Sequence, residues 1–181
     1  MRTLPQLGNL TQHADISEWW VSDPIAVPLL SGQRIAFTIT LAADGDSYPP
    51  DVVDAVERFL ALSPADGETA AGRVFQNYRE FADAVSKIDV EITDCTRVWE
   101  HVRVTGIFVD RRHRWDHEVY IKVACNCDWE VEHGLQLVFR RGARLVRVSA
   151  EDGHLTHADA YDLPTDQDAE PVIPPDCGGI T

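Results

Sequence analysis

Apolar residues alternate along residues 33–41, where Ile35, Phe37, Ile39 and Leu41 fall on one face of an extended chain. Ile25–Leu30 precedes them, and Ser31-Gly32 supplies a turn, so the pair predicts a β-hairpin. Pro24 and Pro28 assign its first strand to a sheet edge, because neither can donate to a ladder. The spacing then changes. Over Asp51–Leu62 the apolar positions Val52, Val56, Phe59 and Leu60 recur at helical intervals, behind a Pro- and Asp-rich start. Ser63-Pro64 ends that helix. A second is predicted over Asp66–Ser86, with Val74, Tyr78, Phe81 and Val85 as its stripe. From Val98 the period returns to two, giving strands over 99–110, 117–127, 134–140 and 143–149, with Arg141-Gly142 as a tight turn between the last pair. A short final element covers Thr156–Tyr161, and residues 1–18 read as irregular and peripheral.

This order predicts an α+β fold: an antiparallel sheet, with an αα-hairpin inserted between an N-terminal β-hairpin and a C-terminal β-meander. The helices are expected on one face of the sheet. Residues 1–162 form a single domain in this reading, and 163–181 form an acidic, Pro- and Gly-rich tail expected to be flexible. A chain of 181 residues is long enough to bury a core without metal or disulfide support.

Charge adds a constraint on partners. The formal net charge is −14, which disfavours nucleic acid and anionic membranes and suits a basic protein or cations. Twelve acids and four bases fall within residues 42–94, whereas 95–147 carry ten bases and seven acids. Met1–Gly8 has no apolar core of a signal peptide, and no apolar run approaches a bilayer span. A cytoplasmic location follows as an expectation. Fourteen of the sixteen basic residues are Arg, as in GC-rich bacterial genomes.

Candidate chemistry concentrates in Cys125-Asn126-Cys127-Asp128-Trp129-Glu130-Val131-Glu132-His133-Gly134, between two predicted strands. Cys125 and Cys127 share a face and either continue the buried stripe of Val119, Ile121 and Val123 or offer thiolates to zinc. Burial is the stronger reading, since a C-x-C pair with His133 matches no standard ligand spacing. Asp128, Glu130 and Glu132 share a face only if the segment stays extended. Their mutual repulsion would then call for a cation, a partner's Arg, or pairing with Arg140, Arg141, Arg144 and Arg147. With His133 they form the candidate set for a divalent metal. Trp129, Trp19 and Trp20 complete the candidate surface, one of the adjacent pair being expected to face solvent as an interface anchor. No residue is assigned a catalytic role, because no established catalytic motif is present, and a non-enzyme is the favoured reading.

The stretch from Val119 to Tyr161 resembles an uncharacterised, mainly bacterial family of unknown function. The resemblance rests on the Cys125–Phe139 motif, the Arg141-Gly142 turn and Asp152-Gly153-His154-Leu155-Thr156, and extends loosely back to Trp19-Trp20. It implies one α+β domain and brings no catalytic assignment. The chain is also similar in size and charge to immunity proteins of bacterial toxin systems. A non-enzymatic acidic binding protein with an immunity or stress-related role is therefore the leading expectation. Its alternative is a metal-binding protein or metal-dependent enzyme built on residues 128–133. A third reading has the motif pin a strand turn, with Glu132 and His133 contributing stability alone.

Overall fold

The computed structural model describes residues 2–164. Eight strands form one sheet in the order β1 (Arg2–Leu4), β2 (Gly8–Gln12), β3 (Trp20–Ser22), β6 (Phe37–Ile39), β7 (Val102–Arg111), β8 (Val119–Cys127), β9 (Leu135–Arg140) and β10 (Arg144–Ser149). A separate hairpin pairs β4 (Ile25–Val27) with β5 (Gln33–Ile35). Helices α1 (Pro50–Leu60) and α2 (Pro64–Ala84) lie between β6 and β7, and α3 (His157–Tyr161) follows the sheet. The expected α+β architecture, with its αα-hairpin between two β regions, is the one observed. No helix among the described residues is long and apolar enough to cross a membrane.

Four local expectations are corrected. Residues 2–12 are not irregular, though 13–18 are: β1 and β2 pair antiparallel and bury Leu4 and Leu10, with Leu7 buried in the turn between them. The strand expected over 33–41 divides at Ala36. Its first part stays with β4, while its second joins the large sheet, where Ser22 Oγ accepts from Phe37 N at 2.9 Å. β6 then pairs parallel to β7, because α1 and α2 carry the chain back along the sheet before β7 begins. Finally, Cys95–His101 is a 3₁₀ helix, so the following strand begins at Val102 rather than Trp99. Asp94 starts that turn by accepting from Thr96 N at 2.7 Å.

The main core lies between the helices and one face of the sheet. Val52, Val56, Phe59 and Val74 pack toward Phe37, Ile107, Val109, Ile121, Val123, Leu137 and Phe139. Phe59 meets Phe37 and Phe139 edge-on, with centroids 6.0 and 5.3 Å apart. At the far end of this layer, the Arg141-Gly142 turn presses against α1. Both turn residues have positive φ, and a Cβ on Gly142 would lie 1.8 Å from Ala55 O. The opposite face of the sheet carries a smaller cluster of Tyr120, Val138 and Leu155. Both faces therefore meet at β8 and β9, which is where the 125–134 stretch sits. The expected tail falls, from residue 165 on, outside the described residues.

Candidate functional site

β8 alternates cleanly, so Val119, Ile121, Val123, Cys125 and Cys127 all point into the helix-side core. Both thiols are free and buried. Burial pushes the Cys125 thiol up strongly and raises that of Cys127 to about 11, so both are neutral at physiological pH. They pack as small residues of the core.

The chain leaves β8 by turning, so Asp128, Glu130 and Glu132 do not line one face. Register decides the partner of Asp128. Cys127 stands opposite Val102, which brings Asp128 beside the two residues that open β7. Its Oδ1 accepts from Arg103 Nη2 at 2.6 Å, and Oδ2 lies 3.1 Å from His101 Nδ1. The Arg103 hydrogen bond, helped by His101, holds the Asp128 carboxyl below its ordinary value of 3.8.

Trp129 folds inward and is only 4% exposed. Its indole N–H donates to Asn77 Oδ1 at 3.2 Å, and its ring meets Tyr78 edge-on at 5.8 Å. Trp129 thereby ties the turn to the middle of α2. Glu130 closes the turn from within: its Oε1 accepts from Glu132 N at 3.1 Å and His133 N at 3.3 Å, and its carbonyl accepts from Gly134 N at 3.0 Å. The side chains of Val131, Glu132 and His133 are left in solvent. The turn-pinning role thus belongs to the Glu130 side chain, and Glu132 and His133 contribute through their backbone N–H groups.

Gly134 has φ +70°, and a Cβ there would lie 2.5 Å from Cys125 O. Gly134→Ala is expected to cost about 2–3 kcal/mol, combining left-handed strain with displacement of β8. Urea unfolding checks it; a loss within 0.5 kcal/mol, about what a neutral surface change produces, would mean the turn relaxes freely.

The metal set is not assembled. Glu130 Oε2 and His133 Nδ1 approach to 3.5 Å, while Asp128 is engaged by Arg103 and His101. Among the described residues, no group of three or more His, Cys, Asp or Glu side chains is placed to hold a metal ion. The hairpin arginines also go elsewhere. Arg140 and Arg141 both bind Glu118, and Arg147 grips Asp152 through two contacts at 2.6 and 2.5 Å. Trp19 and Trp20 are both half-buried: Trp19 packs edge-on to Phe108 at 6.1 Å, and Trp20 lies under Arg2 at 4.5 Å.

The second half of the resemblance has its own task. Asp152 accepts from Arg147, from Gln136 Nε2 at 3.0 Å and from His154 N at 3.0 Å, which lays Leu155 onto Tyr120 and Val138. Thr156 then caps α3 by accepting from Asp159 N at 3.1 Å. Sequence reasoning missed what Asp159 does next. It receives Arg112 Nε and Nη2 at 3.1 and 2.9 Å, while Arg112 Nη1 and Tyr120 OH donate to Asp116 Oδ2 at 3.1 and 2.9 Å. Arg112 is only 2% exposed, and nothing in its local sequence marks a buried cation.

These ties set an acid limit. Burial opposes ionisation of Asp116 and Asp152, but their hydrogen bonds and arginine neighbours prevail, leaving both carboxyls below their ordinary 3.8. A depressed folded-state value adds stability above the unfolded-state range, and that stability is lost as pH falls through the folded value. Urea midpoints are expected to hold from pH 7 to about 5 and to fall below about pH 4. Asp152→Asn should flatten that fall; an unchanged profile would count against the Arg147–Asp152 contribution.

No curated protein and no solved structure matches the chain. A family model described as a domain of unknown function (DUF6985) matches residues 6–155, and the chain belongs to that family.

Proposed function

We propose that this chain is a non-enzymatic binding protein that presents an acidic surface to a basic protein partner. An immunity or stress-related role in a bacterial cytoplasm is the most concrete form of this reading. The observation that carries it is the exposure of the helical region's acids. Asp44, Asp46, Asp51, Asp54, Glu57, Asp66, Glu68, Glu80, Asp83, Asp89, Glu91 and Asp94 are all exposed, against exposed Arg58, Arg79 and Lys87. A field of that sign steers basic partners and repels phosphates, and salt at 0.15 M screens it beyond about 8 Å. The 125–134 stretch enters this reading as support for the fold, since its buried and paired side chains clasp β8, β7 and α2 together.

The test is capture from the native host at low and high salt. A specific basic protein is expected at 50 mM salt and is expected to be released by 0.5 M. A variant carrying Asp54→Asn, Glu57→Gln and Asp83→Asn should fail to retain it while melting normally. Equal capture by the variant would overturn the reading.

A further inference from the structure

The helix-side layer is not closed everywhere. A cavity of about 210 Å³ opens between the 3₁₀ turn at Leu29–Leu30, the first turns of α2 and the start of β7. Its floor is apolar, from Val104, Val123, Cys125 and Leu137, and Trp99 supplies an aromatic wall. Protein interiors pack at crystal density, so an apolar void of this size beside the sheet centre needs walls that cannot collapse. Those walls are fixed. Gly67 lets α2 approach so closely that a Cβ there would lie 2.7 Å from Leu29 O. Ser31, at φ 53°, closes the facing turn by donating from its N to Pro28 O at 3.0 Å. Asp66 accepts from Ser63 N and Oγ, both at 2.7 Å, which anchors the first turn of α2.

We propose that this cavity is a preformed binding site for a small organic amine, with an apolar body inside and a cationic group at the mouth. Two features set the class. The volume is below the roughly 300–1,000 Å³ of drug-sized sites, so the ligand is a compact aromatic or branched amine. Among the described residues Glu68 is the one charged residue in the lining, exposed at a mouth shared with Ser31 and Gln33. Asp66, two positions earlier in the first turn of α2, offsets the positive end of the α2 dipole, so the mouth favours a cation over an anion. A second cleft, of about 390 Å³ beside α1, differs in kind: its lining is mostly charged, with Asp51 tied to Arg111 and Glu118 to Arg140 and Arg141. Glu68 at the mouth also belongs to the acidic surface, but the apolar body of the ligand sits in the cavity, and the Asp54→Asn, Glu57→Gln, Asp83→Asn variant leaves that lining untouched, so the two readings fail separately.

Benzylamine, benzyl alcohol and benzoate share one apolar body and differ in charge, so they serve as probes by NMR titration of the full chain. Benzylamine is expected to bind saturably at about 1 mM or tighter, with shifts centred on Val104 and Val123 and roughly a tenfold preference over benzoate. Ala70→Phe, which fills the cavity from α2, should abolish those shifts. Val102→Trp fills it from the rim and gives the same readout should Ala70→Phe fail to fold. Glu68→Gln should keep benzyl alcohol binding and remove the amine preference. Absence of saturable binding, binding unchanged in a folded filled variant, or an amine preference surviving Glu68→Gln would each overturn the proposal.

Discussion

Trp129→Ala is expected to destabilise the chain by about 3–5 kcal/mol, the range for removing a buried large aromatic side chain. Three losses combine there: the ring's burial, its edge-on contact with Tyr78, and the indole hydrogen bond that satisfies Asn77. At this chain length the melting temperature should fall by roughly 2–4 °C per kcal/mol, which thermal unfolding resolves easily. Trp129→Phe should recover most of the apolar contribution and leave the cost of the missing Asn77 bond, about 1 kcal/mol. A loss below 1 kcal/mol for the alanine variant would mean that the turn is not docked on α2 at all.

Arg112→Met should cost a comparable 3–5 kcal/mol, because it leaves Asp116 and Asp159 without the cation they enclose. The thioether fills part of the volume, so the loss is electrostatic more than steric. That origin gives the variant a distinct pH signature. Asp116 deprived of Arg112 gains by protonation, so the deficit should be largest near pH 7 and shrink toward pH 4. Urea unfolding across that range checks it. A deficit independent of pH would indicate lost packing and would count against the buried network.

Much of this architecture is legible in the sequence because it rests on short-range periodicity. The α1 stripe of Val52, Val56 and Phe59, the Arg141-Gly142 turn, and the placement of Cys125 and Cys127 on the Val119–Val123 face all follow from local spacing. The misses share a different cause. β1 and β3 are three residues long and β2 buries only Leu10, so no period is available to read. The parallel pairing of β6 with β7 depends on a crossover spanning both helices.

The candidate site divides the same way. Its location at the end of β8 is local information, but its partners are not. Asp128 meets Arg103 and His101 only because Cys127 is registered against Val102, and Trp129 reaches Asn77 across 52 positions. Arg112 and Asp159 are 47 positions apart, brought together by a loop that Asp152 fastens to Arg147 and Gln136. A dense run of reactive side chains therefore resolves into a clasp between elements. Its exposed members, Glu132 and His133, are held by their backbone.

The division of labour between clasp and acidic face is tested most directly by one paired capture experiment at 50 mM salt. The Glu132→Ala, His133→Ala double variant is compared with the Asp54→Asn, Glu57→Gln, Asp83→Asn variant, each with its melting curve. The predicted result is normal melting for both, with the basic partner retained by the double variant and lost by the triple. Loss of the partner by a normally melting double variant, with retention by the triple, would contradict the account and return the binding role to the 125–134 stretch.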